Sequence, residues 1–156
     1  MQDFFEPASH VGQRLLDHWH KMANGKALPA RADLDPAHIP RLLSHLLLVD
    51  VRHDPLDFTY RLIGTGIVDR SAKDYTGMRV MDIPMQRPPS GIWSLYQAAV
   101  ETGQPQCTHI PYKDESTRFV EMQALPLSCD GKRVTMLLGS VAFEQDEEMP
   151  MSVNAL

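Results

Sequence analysis

Four polar residues in the last third of the chain, His109, Glu121, Gln123 and Ser140, fall where paired antiparallel strands would gather them on one sheet face. A histidine facing a glutamate across two strands is an acid/base device in outline. The imidazole exchanges a proton near neutral pH, and the carboxylate orients it. The same residues also suit a half-solvated sheet face, or polar groups lying beneath a helix, because opposite charges across strands stabilise sheets. That plainer reading is preferred, since no serine, cysteine or lysine nearby has an evident nucleophile role. No catalytic residue is assigned, and an enzyme using His109 and Glu121 is kept as an alternative.

The stretch YRLIGTGI, residues 60–67, places Gly64 and Gly66 around Thr65 after a run of bulky residues. A phosphate-binding loop would need a third glycine, or a lysine followed by serine or threonine, and a long helix to follow; none is present. The glycines are read instead as letting the chain leave the sheet edge, with Thr65 capping a short helix that Gly77 ends. Arg61 could anchor a carboxylate, but an ion pair or a snorkelling side chain is the simpler role. His18 and His20 diverge on a helix, and Pro40 breaks the register between His38 and His45, so no metal site is expected. Cys107 and Cys129 lie too far out of register for a disulfide.

These residues sit in a chain of 156 residues, long enough for one domain with its own core. The net charge of −5 argues against a general nucleic-acid binder and against an anionic membrane surface. No apolar run approaches a membrane span, and the N-terminus lacks the pattern of a secretory signal. With two cysteines, a cytoplasmic location is expected.

The elements that must position the candidates follow from periodicity and punctuation. Residues 9–25 form a helix: Ser9 caps it, Val11, Leu15, Leu16, Trp19 and Met22 make an apolar stripe, and Gly25 stops it. Asp35-Pro36 starts another helical piece that Pro40 interrupts. Leu46–Val51 and Phe58–Ile63 read as a hairpin, the second strand alternating Phe58, Tyr60 and Leu62 against Thr59, Arg61 and Ile63. Short helical pieces follow at 67–74 and 79–83. A longer helix over 88–105 carries Ile92, Trp93, Tyr96, Ala99 and Val100 on one stripe. Three strands, 106–112, 118–128 and 133–144, complete the set, joined by the polar turn KDEST and by Asp130-Gly131. Residues 1–8 are read as a tail, 9–144 as one domain and 145–156 as a flexible acidic tail. Five strands with helices inserted between the second and third predict an α+β plan: one antiparallel sheet, helices on one face and an N-terminal helix.

Several stretches carry a resemblance to a known family. AAVETGQP (98–105) ends the long helix, and ALPLSCDGKRVTMLLGSVAF (124–143) forms the last hairpin. Together with LPARADLDP, YRLIGTGI and YTGM they resemble the PAS sensory fold, and in particular small stand-alone bacterial PAS-like proteins of poorly defined role. The resemblance covers roughly residues 12–143. It implies a chamber between the sheet and the long helix, walled by the segment after the second strand.

A two-residue Asp130-Gly131 turn would set Val120 opposite Val141, Met122 opposite Gly139 and Ala124 opposite Leu137; the KDEST turn would set Thr108 near Met122 and His109 near Glu121. One face then carries Thr108, Ile110, Tyr112, Val120, Met122, Ala124, Leu137, Gly139, Val141 and Phe143. It is the greasier face and is placed toward the core. The other face carries Cys107, His109, Glu121, Gln123, Leu125, Met136, Leu138 and Ser140. Gly139 leaves room on the core face. Tyr60, Trp93, Tyr96, Val120, Met122, Gly139 and Val141 are the expected ligand-binding residues.

The resemblance also bears on cofactors. Flavin sensors of this fold use a cysteine in a short helix and amide side chains on the last strands. Here that helix reads MRVMDIP, and the strand positions are Val120 and Val141, which offer a flavin no hydrogen bond. The long helix has no histidine to ligate haem. No cofactor is expected.

The function expected is therefore a stand-alone sensory or regulatory domain. It binds a small, mostly apolar ligand and, with no output domain in the chain, signals by contact with a partner protein. Two alternatives stand beside it: an interaction module whose pocket is filled by its own side chains, and the small enzyme named above. The stripe of Leu15, Leu16, Trp19 and Met22 has two readings. It covers the second face of the sheet, or it packs against a twin helix in a homodimer; the dimer is the expectation.

Overall fold

A computed structural model describes residues 6–112 and 119–143. The first helix, α1, spans His10–Ala23. Ser9 caps it as its sequence signature requires, its hydroxyl accepting from the Gly12 N–H at 2.9 Å. Asn24, in the left-handed conformation, closes the helix one residue before the expected glycine. Short 3-10 turns follow at Arg31–Asp33, Pro36–His38 and Pro40–His45. Asp35 caps the second of these through the Ala37 N–H, and Pro40 separates it from the third.

Strands β1 (Leu46–Arg52) and β2 (Asp57–Ile63) form the expected hairpin. A four-residue helix α2 (Thr65–Val68), a 3-10 turn at Val80–Asp82 and helix α3 (Gly91–Thr102) intervene before β3 (Gln106–Pro111), β4 (Phe119–Leu127) and β5 (Met136–Phe143). The sheet is antiparallel in the order β2-β1-β5-β4-β3. It is α+β, as the order of elements predicts. The expectations for the KDEST turn and the acidic tail lie outside the described residues.

The two faces divide as the alternation requires. The front face joins Leu47, Val49, Phe58, Tyr60, Val120, Met122, Ala124, Leu137, Val141 and Phe143 to Trp93, Leu95, Tyr96 and Ala99 of α3. The back face joins Leu46, Leu48, Phe119, Leu125, Leu127, Leu138 and Ala142 to Val11, Leu15, Trp19 and Met22 of α1. Neither is half-solvated: all nine residues of β4 are buried, so both of its faces are roofed.

Four local readings are corrected. β4 and β5 pair two residues further out than a two-residue turn allows, with Val120 opposite Phe143, Met122 opposite Val141 and Ala124 opposite Gly139. The cause is a wider loop held by Asp130, whose carboxylate accepts from the N–H groups of Lys132 and Arg133 and from the Ser128 hydroxyl. Those bonds hold its pKa at about 2. A slip of two leaves every side chain on its assigned face. The β3–β4 register stands as read, with Thr108 opposite Met122 and His109 opposite Glu121.

The second correction concerns β2. A bulge shifts the register between Leu48 and Val49, which pair with Leu62 and Tyr60 and leave Arg61 as the extra residue. The alternation breaks there, so Leu62 turns out to 45% exposure while Ile63 packs toward the front core. Arg61 pairs with Asp50 on the surface at 2.9 Å.

The third and fourth concern the glycine stretch. The cap of α2 is Gly64, not Thr65, and α2 ends at Val68, well before Gly77. Gly64 has ordinary extended backbone; what it supplies is closeness. A Cβ there would stand 2.5 Å from the Ser44 carbonyl oxygen and 2.6 Å from that of Leu43. Gly77, at φ 87°, turns the chain so that its N–H reaches the Tyr60 carbonyl at 2.7 Å. We expect Gly64→Ala to cost about 1–3 kcal/mol in urea unfolding, because the obstacle is backbone and cannot swing away. Thr65→Ala should stay within about 0.5 kcal/mol, since its hydroxyl caps nothing. The reverse ranking would restore Thr65 as the cap.

Candidate functional site

The expected ligand-binding residues do converge, and they converge on one another. Tyr60 and Tyr96 are buried, with their hydroxyls 2.9 Å apart. Gln86 Oε1 can only accept, so the Tyr60 hydroxyl donates to it at 2.5 Å, and Tyr96 donates to Tyr60. Burial holds both phenols well above their ordinary pKa, which keeps them neutral donors. Phe58 meets Trp93 edge-on at 5.0 Å between centroids and Tyr96 at 5.3 Å. Val120, Met122 and Val141 are each 5% exposed on the same core. The room expected beside Gly139 is already taken: Leu47 Cδ1 lies 2.5 Å from where a Cβ would stand. Gln86, in the turn before α3, was not foreseen. A glutamine in a polar loop carries no periodic signal, and only the tertiary fold brings it to the tyrosines.

On the back face His109, Glu121, Gln123 and Ser140 are all buried. The Glu121 carboxylate lies under the start of α1, where helix N–H groups are without partners. It accepts from Ala8 N–H at 2.7 Å, from Ser9 N–H at 3.2 Å and from the Ser9 hydroxyl at 2.5 Å. His109 Nε2 stands 3.7 Å away, and its ring lies against Phe119 with 4.3 Å between centroids. Ser140 Oγ donates to Gln123 Oε1 at 3.3 Å. Burial by itself would raise the Glu121 pKa, but His109, the Ser9 hydroxyl and the two backbone N–H groups together bring it below the ordinary carboxylate value. The carboxylate thus closes the cap of α1 rather than facing a substrate cleft. Gly12 makes this approach possible, since a Cβ there would lie 2.6 Å from Glu121 Oε1. A glycine inside a helical pattern was the available signal for a close contact.

The α1 stripe takes the first of its two readings. Leu15, Trp19 and Met22 are buried against their own sheet, and the Trp19 indole donates to the Pro126 carbonyl at 2.9 Å. Of the four residues expected at a dimer interface, Leu16 alone stays half-buried.

Two clefts lie away from both clusters. One, of about 400 Å³, separates α1 from the 3-10 turns and is bordered by Arg14, His18, Lys21, His38 and Arg41. The other, of about 390 Å³, lies at the β1–β2 end of the back face and is lined mainly by Leu34, Leu46, Leu48, Leu62, Ile63 and Leu138. His18 and His38, read separately in the sequence, meet edge-on across the first cleft. Among the described residues no group of three or more histidine, cysteine or acidic side chains could hold a metal ion. No helix among them is long and apolar enough to cross a membrane.

An antiparallel sheet in the order 2-1-5-4-3, with its connecting helices against the front face, agrees with the comparison to known families. The chain belongs to the PAS domain family, whose model matches residues 8–142. Among solved structures, a sensory box sensor histidine kinase from Vibrio cholerae is similar at 13% identity and a TM-score of 0.45, over 69% of this chain and 90% of that one. No curated protein matches.

The depressed Glu121 pKa sets a direction for stability with pH. A carboxylate more acidic folded than unfolded contributes fully above the unfolded value, about 4.3, and loses that contribution as pH falls through the folded value. Glu121→Gln should cost roughly 2 kcal/mol at pH 7, the scale of hydrogen bonds to a charged group. The gap from wild type should narrow at pH 3. Urea unfolding at the two pH values measures this; an equal gap at both would mean that the charge contributes nothing.

Proposed function

We propose that this chain is a regulatory PAS domain that works by protein contact, its core filled by its own side chains rather than held open for an occupant. The packing at Gly139 carries this reading: the gap a glycine leaves between strands is occupied by Leu47. The Tyr60–Tyr96–Gln86 chain supports it, because both buried tyrosine hydroxyls are already engaged, Tyr96 with Tyr60 and Tyr60 with Gln86. A ligand seated there would have to displace three interlocked aromatic rings. Signalling would then rest on α1, whose seat on the sheet is a separable contact. A partner that favours the seated or the released helix shifts the balance between them.

A second reading has its own observation. The cleft at the β1–β2 end is lined mainly by leucine and isoleucine, with Arg31, Ser44 and Thr65 among them, and Leu43 and Leu62 at its border are 41% and 45% exposed. A small apolar ligand would fit there rather than at the site expected from the sequence.

One titration separates the readings. Decanoate is added to the full chain while methyl resonances are followed. The filled core predicts no saturable shift at Val120, Met122 or Val141; saturable shifts there would overturn it. Shifts confined to Leu48, Leu62 and Leu138 would establish the second reading. In parallel, Met122→Ala should cost about 2–5 kcal/mol, as for a residue in a packed core. A cost near zero would show that the space around Met122 was never filled.

A further inference from the structure

The cleft between α1 and residues 36–42 has a charge pattern that the fold does not explain. Arg14, His18 and Lys21 follow one another at four and three residues, so they form a row on the flank of α1 beside the buried stripe. His38 and Arg41 face them from the other wall. The hollow between holds about 400 Å³, within the range of small-molecule sites. Its floor includes the buried Ile39 and Leu42.

The cations here are uncompensated. Arg14, Lys21 and Arg41 make no ion pair with any described residue. Asp17 is the one acidic side chain bordering the cleft among the described residues, and the nearby Asp35 sits 3.6 Å from His38. In a chain of net charge −5, such a concentration of positive charge is not a by-product of composition. His18 adds a second sign: its Nε2 is buried without a hydrogen-bond partner, a state that costs free energy until something fills it. Burial first, then His38 and Lys21, hold the His18 pKa below its ordinary value, with Asp35 opposing them. Like charges gathered around a hollow lack a counter-charge, and an anion supplies it.

We infer that this cleft binds a small organic phosphate monoester. Three permanent cations against one bordering carboxylate leave two positive charges, which match the near-dianionic monoester at neutral pH. The guanidinium groups of Arg14 and Arg41 offer paired donors to phosphate oxygens. Ile39 and Leu42 offer the organic part an apolar bed. This site is separate from the filled core, so it stands or falls independently of the reading above.

Phenyl phosphate is the probe. Titrated into the full chain at low salt, it should give saturable amide shifts confined to residues 14–21 and 38–42. The bound dianion should raise the His18 pKa by offsetting His38 and Lys21, which with burial hold it down while Asp35 opposes them; Arg14, Arg41 and Asp17 border the same cleft. The double variant Arg14→Gln/Arg41→Gln should bind at least tenfold more weakly with an unchanged unfolding midpoint, since both side chains are exposed. Phenol should give no saturable shift. Shifts spread over basic residues throughout the chain, or undiminished in the double variant, would overturn the site. Phthalate binding as tightly as phenyl phosphate would overturn the phosphate assignment.

Discussion

A strand whose nine residues are all buried needs cover on both faces, and β4 is such a strand. Much else in the molecule follows from that constraint. The front face is roofed by α3, which brings Trp93, Leu95, Tyr96 and Ala99. The back face depends on α1, an N-terminal helix joined to the sheet only through a run of 3-10 turns. A helix so attached must be held in place by what it touches. Leu15, Trp19 and Met22 supply the apolar contact, and Glu121 supplies a polar one by taking up the N–H groups at the start of the helix. A buried carboxylate is tolerated in β4 because those donors, with Ser9 and His109, offset its loss of water.

The two faces of the sheet consequently do different things. The front is an interlocked aromatic core whose few polar groups satisfy one another. The back carries a helix held by its apolar stripe, by the Trp19 indole on the Pro126 carbonyl and by the Glu121 carboxylate at its start, and flanked by a charged cleft. The chemically unusual features of this chain, a buried acid at a helix start and a row of cations without an ion pair among the described residues, belong to α1 and its surroundings.

Much of this was legible before any coordinates. Ser9 as a cap and Asp35-Pro36 as a helix start are local chemistry, and each acts where it was read. The two-residue period of the strands assigned the faces correctly, even though the β4–β5 register was off by two, because an even slip preserves them. What failed depended on contacts between distant segments. The bulge at Arg61 reversed Leu62, and no local pattern marks it. Gly64 was read for its conformation, whereas its purpose is to let two stretches of backbone approach. Glu121 and His109 were paired correctly, yet their role is decided by Ser9, more than a hundred residues earlier in the chain.

By itself, then, the chain's pattern of apolar and polar residues determined the α+β class, the order of the elements and the two sheet faces, since these rest on periodicity and on side chains acting on their own backbone. Only the tertiary structure decided that Leu47 packs against Gly139 in the front core, that α1 lies on its own sheet, and that His18 and His38 share a cleft. Packing and electrostatics depend on distances in space, and those distances join residues that no spacing in the sequence connects.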